Sequence, residues 1–236
     1  MSFSKAVSTL IDKIEDVTHS TVHSTVLLAN AIQEAITRHP KGSVQTLLDP
    51  TLKALIQQEI KQTVNTSRYC SGAGFASHIE ATATFNEYWL LEWWYKKANG
   101  LNQVNLDIDQ ATQQRLDFRT FEWFKLSPLQ GEAFIHGPYV DYICNTSYTL
   151  TAAVPVYHEG HFVGVAASDI LVGQLEEELL ACSSAKGVIL TNLENRIIFS
   201  SQPQSRVGDL LQSHQSEVIF ESDYFRLHQI TTLSSR

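Results

Sequence analysis

The strongest strand signal in the sequence is a pair of long apolar segments separated by five residues. The segments Tyr148–Val156 and Phe162–Ile170 are rich in Val, Ala, Thr and aromatic residues, a composition typical of strands. The connecting segment contains Glu159-Gly160, a pair that suits a tight turn. The two segments therefore predict an antiparallel hairpin at the core of a sheet.

The amino-terminal quarter predicts a long helix from Phe3 to His39, because this stretch contains no Gly or Pro. Apolar residues recur there at helical spacing in two stripes: Val7, Leu10, Ile11, Ile14 and Val17, then Val22, Val26, Ala29, Ile32 and Ile36. The step from Val17 to Val22 is out of phase with one straight stripe. We therefore expect the helix either to bend over a sheet or to serve one internal partner and one from another subunit.

A second helix follows the break at Pro40-Lys41-Gly42. Asp49 is suited to the N-cap position and Pro50 to the first helical position. Leu52, Leu55, Ile56, Ile60 and Val64 form its apolar face. The first 68 residues thus predict a helical segment.

After Cys70 the sequence becomes typical of strands. Ser71–Ala76 and the aromatic stretch Tyr88–Tyr95 predict adjacent strands, and Asn99-Gly100 predicts a turn after the second. The polar stretch Asn102–Arg115 and the region around Trp123 predict short helices and loops over the sheet.

The carboxy-terminal third predicts one helix followed by strands. Leu171–Leu180 predicts a helix, and Gly187–Ser200 predicts two strands joined by a turn at Asn195. Val207–Leu211 predicts a short helix. Glu217–Ile230 predicts either a hairpin or one long strand. Too few residues remain here for a full independent core. We therefore expect a helical segment at 1–68, a central domain at 69–180 and a small second module at 181–236.

Charge and hydropathy exclude two classes of partner. The 236 residues carry 17 basic and 25 acidic side chains, a formal charge of −8 with no basic run, so a nucleic-acid partner is not expected. No window approaches the roughly 18 consecutive apolar residues of a membrane-spanning helix, so no membrane partner is expected.

The start of the chain and its cysteines predict a cytoplasmic location. The first thirty residues have no basic start, no uninterrupted apolar run and no small-residue cleavage site. The cysteines Cys70, Cys144 and Cys182 form an odd set without CxxC spacing, which indicates free thiols in a reducing compartment.

No motif predicts a metal, a cofactor or catalysis. His158 and His161 flank a turn without a third ligand placed by spacing, and His19 and His23 have no HExxH context. The sequence has no GxSxG, GxGxxG or P-loop, and Cys144 has no base placed beside it. We expect no cofactor, no metal site and no enzymatic activity.

Four segments resemble the Cache family of sensor domains in residues, order and spacing. They are Glu122-Trp123-Phe124, Gly137-Pro138-Tyr139-Val140-Asp141, Pro155-Val156-Tyr157 and Gly164-Val165-Ala166-Ala167-Ser168-Asp169-Ile170. The resemblance is firm over residues 72–180. It implies an α+β fold in which long amino-terminal helices pack on a PAS-like antiparallel sheet that binds a small ligand. The tail resembles the start of a reduced second module, as in double-Cache proteins.

The resemblance also implies a ligand site. Amino-acid-sensing Cache domains have an Arg two residues before a Trp-Tyr pair, then Tyr-x-Asp, then an Asp that ends the Gly-Val strand. The matching positions here are Trp123, Phe124, Tyr139, Asp141 and Asp169. The Arg position holds Phe121, which cannot clamp a carboxylate, although Arg119 is close in sequence.

The chemistry of these residues favours an amine as ligand. Two carboxylates, Asp141 and Asp169, near a buried aromatic pocket would suit an ammonium group. Trp123, Tyr139 and Trp94 or Trp93 offer π-faces to the same cation. Without the Arg, a simple amine, diamine or quaternary ammonium is favoured over an α-amino acid, while Arg119 or backbone N–H groups could still hold a carboxylate.

Simpler interpretations remain open. Asp169 stands before a predicted helix and could be a turn or helix cap. Trp89, Trp93 and Trp94 could be ordinary core residues.

The combined hypothesis is a sensory domain that binds an amine or amino-containing metabolite and relays occupancy through its long helix. We expect a homodimer in a bacterial regulator, with the output in a separate protein or in a domain outside this sequence. One alternative is an enzyme that uses Asp141 and Asp169, with Glu122, as an acid/base set on a small amine or sugar. Another is a structural or interaction module without a ligand.

Overall fold

The computed structural model describes residues 3–39, 44–80, 87–104, 117–212 and 216–230. Its α-helices are α1 (Lys5–Arg38), α2 (Pro50–Thr66), α3 (Glu122–Gln130) and α4 (Val172–Cys182). Its strands are β1 (Gly72–Ile79), β2 (Tyr88–Lys97), β3 (Gly100–Gln103), β4 (Phe134–Asp141), β5 (Ser147–His158), β6 (His161–Leu171), β7 (Val188–Asn192), β8 (Ile197–Ser200), β9 (Ser216–Glu221) and β10 (Phe225–Ile230). The predicted α+β class with a long amino-terminal helix and antiparallel sheets is confirmed.

Helix α1 has one continuous buried stripe along its length, which also covers the step from Val17 to Val22 that is out of phase in the apolar pattern. Thr18, Thr21 and Thr25 are each less than 5% exposed and fill the gap. The hydroxyl of Thr18 donates to the Ile14 carbonyl at 2.7 Å, which satisfies it within the helix. The predicted bend of the helix and the predicted homodimer, which were inferred from this step, stay predictions.

Helix α2 begins as the sequence predicts. The Asp49 side chain accepts a hydrogen bond from the Thr51 amide at 2.8 Å, and Pro50 occupies the first turn. The residues Leu52, Ile56, Ile60 and Val64 are buried, whereas Leu55 is 48% exposed. Residues 40–42, which were predicted to end the first helix, lie outside the described residues. Among the helices in the described ranges, none is both long and apolar enough to cross a membrane.

The larger sheet has six strands in the order β3-β2-β1-β6-β5-β4. Strand β1 pairs antiparallel with β2 and with β6, so the two predicted segments after Cys70 are neighbours. The predicted Asn99-Gly100 turn joins β2 to β3, with Lys97 opposite Gly100. Asn102 and Gln103 belong to β3 rather than to a helix or loop, and residues 105–115 of that predicted stretch lie outside the described residues.

The predicted central hairpin is formed by β5 and β6. Its turn residues Glu159 and Gly160 both have positive φ, 50° and 79°. Two consecutive positive φ angles give the turn that matches the twist of a two-stranded ribbon. Strand β4 was missed, because its central Gly137-Pro138 does not resemble a strand.

The chain divides into two compact units. One comprises residues 20–136 and 151–170, and the other residues 1–19, 137–150 and 171–236. The division expected near residues 68 and 180 stays a prediction. In the first unit, α1 and α2 pack on one face of the sheet through a buried core that includes Ile32, Ile56, Phe75 and Val156.

The second unit contains a four-stranded sheet in the order β8-β7-β10-β9. The predicted strands around Asn195 and within Glu217–Ile230 are present, the latter as the hairpin β9–β10. The short helix predicted at Val207–Leu211 is absent. A turn with Gly208 at φ 90° stands there instead, and Leu210 forms a β-bridge with Arg196.

Candidate ligand-binding site

Asp169 is buried in the middle of the larger sheet. It lies in β6 opposite Gly72 of β1 and is 3% exposed. The Thr151 hydroxyl donates a hydrogen bond to its Oδ1 at 2.7 Å. Helix α4 has Leu171 as its N-cap and no side-chain capping bond. Asp169 is therefore not the N-cap residue of α4, and its role in a turn or in a ligand site stays a prediction.

Four aromatic side chains form a wall in the same unit. This aromatic wall consists of Trp93 from β2 and Phe121, Trp123 and Phe124 at the start of α3. The Trp123 ring centroid lies 6.0 Å from Trp93, 6.1 Å from Phe121 and 6.0 Å from Phe124. These spacings are normal for edge-to-face and tilted aromatic pairs, so the rings support one another.

Strand register places Trp93 and Asp169 on one face of the sheet, here called the site face. Trp93 lies opposite Gly74, and Asp169 lies opposite Gly72. Residues two apart on a strand share a face, and directly opposed residues point the same way. Trp93 and Asp169 therefore share this face, and Trp123 packs against Trp93.

Trp94 lies on the opposite face. It pairs with Ala73, and the Lys61 ammonium of α2 lies 4.0 Å from the centroid of its ring. Successive strand residues alternate between faces, so Trp93 and Trp94 cannot share one site. Of this pair, Trp93 rather than the predicted Trp94 is on the site face.

Two glycines of β1 make room for the Trp93 ring. A Cβ placed on Gly74 would lie 2.4 Å from Trp93 Cε3 and 2.4 Å from the Glu92 carbonyl oxygen. A Cβ on Gly72 would lie 3.2 Å from Trp93 Nε1. The indole therefore lies across β1, with its N–H edge beside Gly72, the residue opposite Asp169.

Phe121 stands where the resemblance would place an Arg, and Arg119 does not replace that Arg. The Arg119 guanidinium donates to Asp117 at 2.9 and 3.0 Å and to Glu87 at 2.7 Å. It also lies 3.4 Å from the centroid of the Trp89 ring. The pKa of Arg119 is raised above its ordinary value by Asp117, and the pKa of Asp117 is lowered by Arg119. This cation is already engaged in a structural ion pair.

Tyr139 and Asp141 belong to the other compact unit. Asp141 is 6% exposed and stabilises its own turn. Its Oδ1 accepts from the Ile143 amide at 2.8 Å, and its Oδ2 accepts from the Cys144 amide at 3.3 Å. Asp141 thus has the turn-capping role that the sequence analysis had considered for Asp169. Tyr139 is half-buried in β4.

Glu122, His158 and His161 are the other polar residues that the sequence offered for a catalytic or metal site. Glu122 is 68% exposed at its side chain and lies 3.5 Å from His136. His158 is buried, and His161 is exposed at the turn. Within the described ranges, no group of three or more His, Cys, Asp or Glu side chains could hold a metal ion.

No protein-family profile matches the chain, and no curated protein matches it. Solved structures do. Methyl-accepting chemotaxis protein X is 15% identical with a TM-score of 0.59, over 94% of this chain and 96% of that one. A second match is the ligand-binding domain of the Pseudomonas aeruginosa amino acid chemoreceptor PctC in complex with GABA. It is 19% identical with a TM-score of 0.51, and the alignment covers 89% of this chain and 97% of that one.

A third match bears on location. The extracellular domain of soHK1S-Z6, a protein assigned as a histidine kinase, is 16% identical with a TM-score of 0.51, over 85% of this chain and 75% of that one. The matched sensory domains point away from the cytoplasm, so the predicted cytoplasmic location is wrong. The free cysteines do not support a cytoplasmic location either. Burial raises the pKa of Cys70 to about 12, and a buried, protonated thiol does not need a reducing compartment.

The three matches agree with the resemblance to Cache domains. The matched regions are sensory or receptor domains. At these identities the likeness establishes the architecture, and the absence of enzymatic activity stays a prediction. The chain has the fold of the ligand-binding sensory domains of chemoreceptors and histidine kinases.

Proposed function

We propose that the chain is a sensory domain that binds an amine or amino-containing metabolite on the site face. The ammonium group would be held by Asp169 and covered by Trp93 and Trp123. The observation that carries the proposal is the buried Asp169 carboxylate beside an aromatic wall, in a fold otherwise found in chemoreceptor sensory domains.

The physical basis is charge complementarity in a desolvated place. A carboxylate that is 3% exposed attracts a cation more strongly than one in water, because the surroundings screen it less. Aromatic faces add about 0.5–2 kcal/mol each for a cation at their surface. PctC binds GABA, which carries an ammonium group, and this supports the same ligand class here.

The site residues of this proposal all lie in the unit that contains residues 20–136 and 151–170. Phe121 and Phe124 support Trp123, and Thr151 orients Asp169. Phe124 is held in turn by Phe118, at a ring-centroid distance of 5.0 Å. Tyr139 and Asp141, which belong to the other unit, are not needed for the proposed contacts.

The proposed relay runs from Asp169 to α1. Ser168, the preceding residue, points to the opposite face of the sheet, where its hydroxyl is hydrogen-bonded to Thr25 of α1. A ligand that pulls on Asp169 would shift β6 and bias the position of α1. A ligand can bias the position of α1 only if it binds one position of the helix more tightly than the other. The output would lie in a regulatory partner or in a domain outside this sequence, and the responding unit would be a homodimer.

A thermal-shift screen with a matched pair of variants tests the proposal. The panel contains amino acids, monoamines, diamines and betaines, since a ligand that binds the native state raises its melting temperature. Asp169→Asn should abolish the rise, because it removes the charge and keeps the volume.

The control is Glu92→Gln. Glu92 is also buried, 2% exposed, but it pairs with Lys53 at 2.8 Å and Gln57 at 2.8 Å on the α2 side of the sheet. This variant should melt at a lower temperature and keep the ligand-induced rise. The proposal fails if no compound stabilises the wild type, or if Asp169→Asn responds as the wild type does.

A further inference from the structure

The indole N–H of Trp93 is a buried donor that nothing in the described part of the chain satisfies. Trp93 is 6% exposed, and its Nε1 is buried without a hydrogen-bond partner. Buried polar groups are nearly always hydrogen-bonded, because leaving one unpaired costs its full desolvation. An unsatisfied donor on the site face therefore needs an explanation.

The position of this N–H indicates what it faces. Nε1 lies beside Gly72, at 3.2 Å from where a Cβ would stand, and Gly72 is the residue directly opposite Asp169. Side chains of directly opposed strand residues are roughly 5 Å apart at Cβ. A small ligand whose ammonium meets the Asp169 carboxylate thus places its next few atoms beside the Trp93 N–H.

We propose that Trp93 determines ligand specificity by donating a hydrogen bond from its indole N–H to an oxygen atom of the bound amine. The inference rests on the proposed function and narrows the ligand class. The ligand carries an ammonium group for Asp169 and an acceptor oxygen for Trp93, as in α- or ω-amino acids.

The available donors explain why Trp93 carries this role. Phe121 offers no polar group where the resemblance would place an Arg, and the Arg119 guanidinium is engaged by Asp117 and Glu87. An indole N–H only donates, so the ligand must supply the acceptor. Plain amines and diamines carry donors alone when protonated and leave the N–H unsatisfied. The preference for a simple amine inferred from the missing Arg is thereby reversed.

Calorimetric titration of the whole chain with paired probes tests the inference. The pairs are GABA with propylamine and L-valine with isobutylamine, in which the second compound lacks only the carboxylate. The wild type should bind at least one amino acid about tenfold or more tightly than its paired amine. Trp93→Phe, which keeps an aromatic ring and removes the N–H, should lose this preference, so that the variant binds each amino acid and its paired amine with affinities within about threefold of each other.

Trp94→Phe is the matched control. Trp94 also has a buried Nε1 without a partner, but it lies on the face that packs against α2. The control should keep the preference of the wild type. Gly72→Ala is a second variant, whose methyl group would crowd Nε1 and should weaken binding of the amino acid more than binding of the amine.

The outcomes separate the two claims. If the wild type binds amine and amino acid equally, or if Trp93→Phe keeps the preference, the role of Trp93 is overturned and the proposed amine site stands. If no probe and no compound of the thermal-shift panel binds the wild type, the proposed function fails, and the role of Trp93 fails with it.

Discussion

The hydroxyl of Ser168 in β6 is hydrogen-bonded to the hydroxyl of Thr25 in α1, one residue away from the buried Asp169. Both residues are completely buried. Thr25 also bonds the Thr21 carbonyl at 2.8 Å, which uses its only proton, so Ser168 is the donor in the shared bond. This pair links the strand that carries Asp169 to the long helix.

Ser168→Ala should uncouple α1 from the site without removing the site. The free energy of unfolding should fall by about 1 kcal/mol, because one buried hydrogen bond is lost and the Thr25 proton keeps its own acceptor. Ligand affinity should stay within a few-fold of the wild type. Ligand-induced protection of residues 20–38 in hydrogen exchange should shrink.

Two comparisons control this prediction. Thr25→Val combined with Ser168→Ala should show a coupling energy of about 0.5–1.5 kcal/mol in a double-mutant cycle. Thr37→Val removes a similar hydroxyl on an exposed turn of α1 and should leave ligand-induced protection unchanged. Unchanged protection in Ser168→Ala would show that this pair does not carry the relay.

The three cysteines should differ in their reactivity towards a thiol reagent at pH 8. Cys70 is 4% exposed with its pKa raised to about 12 by burial and by the nearby Asp169, so it should react only on unfolding. Cys144 is also buried, whereas Cys182 is partly exposed. Native protein should therefore show one accessible thiol and denatured protein all three. Cys182→Ser should leave none in the native state, and rapid modification of Cys70 would contradict its burial.

The buried His228 should make the second unit less stable in acid. Its ring bonds Thr191 Oγ1 at 3.0 Å and Ser216 Oγ at 3.3 Å. Burial, followed by the Arg226 charge, lowers the pKa of His228 below its usual value of 6.5, against a smaller opposite effect of Glu221. At pH values between the folded and unfolded pKa of His228, the unfolded chain binds more protons than the folded chain. This contribution to stability is therefore present above about pH 6.5 and is lost as the pH falls below it.

Urea unfolding at pH 5 and pH 8 measures this effect. The wild type should lose more stability between the two pH values than His228→Gln, because the variant cannot gain the extra proton on unfolding. The other eight histidines are common to both proteins, so their contributions cancel in the comparison. An equal loss in the two proteins would show that His228 does not contribute.

The order of helices and strands was largely predictable, because the patterns that set it are local. Glu159-Gly160 has the conformational freedom that its turn needs, and Asp49-Pro50 provides a cap and a preset first turn. The continuity of the α1 stripe is not visible from its apolar residues alone, because threonines fill the step between Val17 and Val22. Thr18 and Thr25 bond carbonyls one turn earlier and can then be buried like valine.

The choice between Trp93 and Trp94 could not be made from their own positions in sequence. Alternation along a strand puts neighbours on opposite faces but does not say which face carries the site. A usable signal was present in β1, where Gly72 and Gly74 leave room for one indole on a single face. Reading it requires the register of β1 against β2, which is a long-range property of the fold.

The roles of Asp141 and Asp169 were similarly beyond the sequence. Each stands near the end of an apolar strand, and each could cap a turn or face a ligand. The structure gives Asp141 two backbone amides of its own turn, whereas Asp169 meets a threonine hydroxyl from the neighbouring strand. That threonine lies on the other strand of the predicted hairpin, but a predicted hairpin alone does not say which of its faces carries a ligand site.

A crystal structure of the complex with the compound that gives the largest thermal shift would show whether the ligand binds at Asp169. The ligand ammonium should lie within about 3 Å of the Asp169 carboxylate, with the rings of Trp93 and Trp123 against it. A ligand bound away from Asp169 and the aromatic wall would overturn the proposed site.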